Sequence, residues 1–150
     1  MTKTTYAGLV DLVGARLGIS DWVTIDQEMI NRFADATGDH QWIHVDIDRA
    51  EREIGGTIAH GFLVLSLIAR LGDPMLMVTD SPHRLNYGLN KARFTSPVPA
   101  GARVRLVQTL KSAEPKGSGT LLAIDCQMEL EGSERPALVA EQLVHVIPGA

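Results

Sequence analysis

Two histidines and two carboxylates crowd the ten residues Thr37-Gly38-Asp39-His40-Gln41-Trp42-Ile43-His44-Val45-Asp46. The chemistry open to such a segment is proton transfer. Asp39 and His44 stand five positions apart; on a loop they can converge on one water, one group accepting a proton while the other donates. Each also has an ordinary structural role available, Asp39 as a turn residue at a helix end and His44 as a surface or hydrogen-bonded core histidine. His40 and His44 have the spacing of a zinc-protease helix, but Gln41 stands where that motif requires Glu after the first histidine. No metal is expected.

A second candidate is His60-Gly61, at the head of the most apolar run of the chain. Backbone N–H groups in the first turn of a helix lack an intrahelical acceptor and lie at the positive end of its dipole. They can hold a carbonyl oxygen that gains charge in a transition state. A glycine lets that oxygen approach, and it equally lets two elements pack closely. The other common catalytic signatures, G-x-S-x-G, G-x-G-x-x-G and the P-loop, do not occur. No nicotinamide, flavin or nucleotide cofactor is expected.

These residues must be positioned by the elements around them. Leu9, Val10, Leu12 and Val13 predict a helix over Tyr6 to Leu17, capped by Gly18. Asp21 to Ile25 reads as a short strand. Thr24 or Asp26 can cap a helix that runs through Met29, Ile30, Phe33 and Ala34 and ends at Gly38, leaving Asp39 to His44 in a loop. A short helix from Asp48 to about Glu53, capped by Asp48, leads to the turn Gly55-Gly56. Gly61 to Leu71 is apolar nearly all round, which predicts a helix buried on most sides.

Four strands are predicted in the second half: Arg84 to Phe94, Ala102 to Lys111, Thr120 to Glu131 and Ala137 to Ile147. In the third, Leu122, Ile124, Cys126, Met128 and Leu130 alternate with Asp125, Gln127, Glu129 and Glu131. One face is dry and one wet, as in an antiparallel sheet covered by a helix. The class is α+β. Cys126 falls on the dry face, where a thiol is inert.

The chain has 150 residues, 45% hydrophobic and 21% charged, the size of one domain spanning residues 1–150. A lone cysteine excludes an internal disulfide, and with no apolar leader at Met1 to Tyr6 it suggests a reducing cytoplasm. No apolar run approaches the roughly 18 residues of a membrane span. A net charge of −4 argues against general nucleic-acid binding. The charge is uneven: Arg84 to Lys116 holds seven basic residues and one acid, Glu114. Such a stretch can attract a small polyanion, or be a set of solvated strand faces.

Gly38-Asp39-x-x-x-x-His44, then Ala59-His60-Gly61 with a hydrophobic helix and a four-stranded C-terminal half, resembles the MaoC-like dehydratases, or R-specific enoyl-CoA hydratases. The branch similar to nodulation protein N is the nearest in pattern. The likeness runs from about Asp21 to Ile147. The family loop usually reads G-D-x-N-P-x-H; here Gln41-Trp42 replaces Asn-Pro.

The resemblance implies a single hot-dog fold, a long antiparallel sheet wrapped around a central helix, and a homodimer. It implies Asp39 and His44 as the catalytic pair and the Gly61 N–H as oxyanion donor. The reaction would be (R)-specific hydration of trans-2-enoyl-CoA and its reversal. Coenzyme A would then enter as part of the substrate. Lys91, Arg93 and Arg103 are candidates for its phosphates, and Ser66, Ala69 and Gly72 for the acyl pocket. A hot-dog thioesterase and a non-catalytic acyl-binding protein are the alternative readings.

Overall fold

The structure, a computed structural model, describes residues 1–81 and 83–149. Its elements are β1 (Thr2–Thr4), β2 (Arg16–Ile19), β3 (Val23–Thr24), α1 (Gln27–Thr37), α2 (Trp42–Val45), α3 (Ile47–Ile54), α4 (Gly61–Gly72), β4 (Leu76–Val78), β5 (His83–Phe94), β6 (Arg103–Lys116), β7 (Gly119–Leu130) and β8 (Leu138–Ile147). The main sheet has the order β2-β6-β7-β8-β5, with β3 also on β6. All its pairings are antiparallel. A small parallel pair, β1 with β4, lies apart.

The sheet curls around α4. Leu63, Val64, Leu67, Ile68 and Leu71 of that helix are buried, in one cluster with Leu106, Leu110, Leu122, Ile124, Met128 and Leu138 from the inner sheet face. Each such side chain contributes about 2 kcal/mol through burial. This is the hot-dog arrangement implied by the family resemblance, and the alternation along β7 puts Leu122, Ile124, Cys126 and Met128 inside as expected. Burial pushes the Cys126 thiol up to about 11, which keeps it protonated and unreactive at neutral pH.

Three local readings are corrected. Tyr6 to Leu17 is not an α-helix. A 3-10 segment, Ala7–Leu12, is followed by a turn at Gly14 (φ +88) and then by β2. Gly18 is a strand residue opposite Gln108, not a helix cap. Pairing with β6 overrides the helical spacing, and within Ala7–Leu12 only Leu9 is buried. Secondly, α3 is capped by Asp46, whose carboxylate accepts from the Arg49 N–H at 3.0 Å, rather than by Asp48. Thirdly, α4 is not enclosed on most sides: Phe62 is 69% exposed, and Ser66, Ala69 and Arg70 are exposed with it. That open stripe faces β5.

For α1 the structure selects Asp26 as the cap, accepting from the Met29 N–H at 2.8 Å. Gly38 closes the helix in the left-handed region (φ 80), its N–H on the Ala34 carbonyl. Among the described residues no helix is long and apolar enough to cross a membrane.

Candidate functional site

Four elements bring the site together. Asp39 follows directly on the Gly38 cap of α1. His44 is not in a free loop: it sits in the one-turn helix α2, which gives its side chain a fixed direction. The Gln27 amide of α1 supports α2, donating to the His44 carbonyl at 2.8 Å while its oxygen accepts from the Thr57 hydroxyl. Trp42, standing where the family motif has proline, lies under the Arg49 guanidinium at 4.2 Å and so ties α2 to α3. His60 is the residue before α4, and Gly61 begins it.

Asp39, His44 and His60 each place a side-chain N or O atom within 4.8 Å of the others. His44 is 6% exposed and His60 2%, whereas Asp39 is open to solvent. The His44 Nδ1 lies 2.6 Å from the Ile58 carbonyl. A carbonyl only accepts, so Nδ1 carries the proton and Nε2 is the nitrogen left for chemistry. The Asp39 carboxylate accepts weakly from the Gln41 N–H at 3.4 Å. A gap of this size between imidazole and carboxylate suits one bridging water. His40 turns away to pair with Asp35 at 2.9 Å on the surface, and the Asp35 carboxylate raises its pKa.

His44, Gly61, Val64, Phe94 and Val98 line one cavity of about 270 Å³. Among the described residues none accepts from the Gly61 N–H, which leaves that donor available at the positive end of a 12-residue helix. A Cβ on Gly61 would sit 3.0 Å from the Phe94 ring, so packing also favours glycine here.

Two imidazoles and a carboxylate this close together are also a grouping that could hold a metal ion. The His44 and His60 rings are stacked, centroids 3.8 Å apart and planes 25° from parallel.

The remaining candidates are spread more widely. Ser66 and Ala69 line a cleft between α4 and β5 with Leu65, Tyr87 and Leu89. The Ser66 hydroxyl donates to the carbonyl of Leu63, three residues back. Ala69 and Gly72 border a further cavity with Arg84, Asn86, Gln108 and Gln142; a Cβ on Gly72 would lie 2.7 Å from the Gln108 amide. Arg103 is ion-paired with Glu131 at 2.9 Å. Lys91 and Arg93 are exposed on the outer sheet face, opposite Glu141 and Val139 of β8.

The basic surplus of the sequence is thus largely matched in space. Arg84 pairs with Asp73, Arg103 with Glu131, Arg105 with Glu129 and Lys111 with Glu141. The contacts of His60 were not anticipated from sequence. The available signal was a histidine directly before the glycine that opens the central helix.

Comparison with known proteins decides the family. The MaoC like domain matches residues 10–120. The chain belongs to the MaoC-like family. Among MaoC-like relatives, it is 50% identical over 148 residues to the 3-hydroxyacyl-thioester dehydratase Z of Mycobacterium tuberculosis, covering 97% of this chain and 98% of the relative. It is 43% identical to nodulation protein N of Rhizobium leguminosarum bv. viciae, covering 93% and 89% of the two chains. The fold superposes on the R-hydratase PhaJ1 of Pseudomonas aeruginosa with a TM-score of 0.76 at 23% identity, over 96% of this chain and 86% of that one.

Proposed function

We propose that this protein adds water to trans-2-enoyl thioesters to form (R)-3-hydroxyacyl thioesters, and catalyses the reverse dehydration, with coenzyme A as carrier. The observation that carries this reading is the grouping of the His44 ring and the unbonded Gly61 N–H on one cavity, with Asp39 within 4.8 Å of His44. The relative at 50% identity named as a 3-hydroxyacyl-thioester dehydratase supports it.

The chemistry follows from the groups present. Water held between the Asp39 carboxylate and His44 Nε2 attacks C3 as a proton leaves it. The alkene electrons move onto C2 and the thioester oxygen, which gains negative charge that the Gly61 N–H and the α4 dipole stabilise. C2 takes a proton from the same pair, and the enolate collapses to the 3-hydroxyacyl thioester. With both proton transfers served from one side of the substrate, addition is syn. The base and acid roles are shared within the Asp39 and His44 dyad rather than assigned to either member.

The protein acts as one hot-dog unit paired with a second copy. Among the described residues β5 is hydrogen-bonded to β8 on one side only, and its Leu85, Tyr87 and Leu89 are exposed, the last two beside the open stripe of α4. An apolar strand edge of this length is covered in stable proteins. The acyl chain runs along α4 from Gly61 toward Ser66 and Ala69, within the cleft that the second copy roofs. Arg93 precedes Phe94 at the mouth of the site and, with Lys91, is offered to the phosphates of coenzyme A. The single buried thiol suits the cytoplasm.

Crotonyl-CoA tests the reading. Loss of enoyl absorbance at constant free thiol, with (R)-3-hydroxybutyryl-CoA as product on chiral chromatography, is the expected result. Release of thiol would make the protein a thioesterase, and binding without turnover would make it an acyl-binding protein.

A further inference from the structure

The His60 side chain touches both members of the catalytic pair. Its Nε2 lies 2.9 Å from the Asp39 backbone carbonyl, so Nε2 bears the proton and donates it there. Its ring is stacked on His44 at 3.8 Å, and Phe33 of α1 presses on it at 4.9 Å. Its Nδ1 is buried with no hydrogen-bond partner among the described residues. A buried polar atom left unpaired is uncommon and needs a reason. Packing alone would be served better by phenylalanine or leucine, which leave nothing unpaired.

We infer that His60 is a positioning residue that fixes the separation and orientation of Asp39 and His44. The inference rests on the hydratase reading above. The Nε2–H tethers the exposed Asp39, whose other local contacts are weak: its N–H lies 3.4 Å from the Thr37 hydroxyl, and its carboxylate accepts from the Gln41 N–H at 3.4 Å. The ring face clamps the His44 imidazole from one side while the Ile58 carbonyl holds its Nδ1 from the other. One side chain thereby couples the loop after α1, helix α2 and the start of α4, the three places from which the reaction is run.

Two substitutions separate the tether from the ring. His60→Phe keeps a ring face and loses the donor; His60→Gln keeps a donor near the Nε2 position and loses the ring. Purified full-length variants are assayed with crotonyl-CoA, with near-ultraviolet circular dichroism fixing the folded fraction. His60→Phe is expected to lower kcat about tenfold to a hundredfold while KM moves less than about twofold, the pattern of misplaced catalytic groups. His60→Gln is expected to recover part of that loss.

Wild-type kcat per folded molecule in His60→Phe would overturn the inference. So would a loss confined to KM, or no recovery in His60→Gln. Asp39→Asn in the same series separates the two levels of argument. If Asp39→Asn turns over normally, the hydratase mechanism itself fails; if it is inactive while His60→Phe is unaffected, only the positioning role fails.

Discussion

Asp125 on β7 and Glu141 on β8 stand directly opposite each other in the strand register, two carboxylates facing the same outer surface of the sheet. Like charges in that position repel. Lys111 reaches across from β6 to the Glu141 carboxylate, and the Asn90 amide on β5 donates to it as well. Four strands are thus tied by one charged cluster on the side of the sheet away from the site.

That cluster makes stability depend on acid. The Asn90 amide and then the Lys111 ammonium hold the Glu141 carboxyl below its ordinary value. The folded state therefore binds that proton less readily than the unfolded chain. The stabilisation is complete above the ordinary carboxylate range and is lost as pH falls through the lowered value. Melting temperature measured from neutral to acid pH should fall with a slope that Glu141→Gln makes shallower. An identical slope in the variant would remove Glu141 from the account.

Asp39→Asn and His44→Gln should each lower the rate with crotonyl-CoA by at least about a hundredfold if they move protons in the transition state. The double variant should be little worse than either single one, because groups that act as a unit are not additive. Stopped-flow or steady-state absorbance measures this, and independent multiplicative losses would argue against a shared water.

Gly61 has two explanations, access for the thioester oxygen and room for the Phe94 ring, and they separate experimentally. Gly61→Ala is expected to cost about tenfold or more in kcat/KM by blocking approach to the N–H. Adding Phe94→Ala should not restore it. Recovery in the double variant would assign the glycine to packing.

Leu89 of the edge strand β5 is 43% exposed and lines the cleft beside α4. If the proposed second copy joins along β5, Leu89→Asp should leave a monomer in sedimentation velocity where the wild type is a dimer, since a charge there must be desolvated when two copies join. An unchanged sedimentation coefficient would place the dimer contact elsewhere.

Much of this fold is legible along the chain, for physical reasons that differ by segment. β7 was readable because a strand with one buried face alternates every two residues, and β5, β6 and β8 because Pro- and Gly-containing turns separate them, both purely local signals. Asp26, Gly38 and Gly55 bound their helices through contacts within one turn. The segment from Tyr6 to Leu17 misleads because its local spacing is helical, while its fate depends on β6, nearly a hundred residues later in the chain. The exposed stripe of α4 misleads similarly: Phe62 and Ala69 read as core residues, and only the position of β5 leaves them open.

By itself the sequence determined the chemical types available, an acid, a base and a backbone donor, together with the secondary elements that carry them. Residue identity and short-range periodicity are written in consecutive positions. Tertiary structure alone decided that His60 stacks on His44 and tethers Asp39, that His40 leaves the site for Asp35, and that the basic stretch is met by Asp73, Glu129, Glu131 and Glu141. These are distances between residues remote in sequence. Chain order does not encode them until the sheet closes around α4 and sets which side chains share a space.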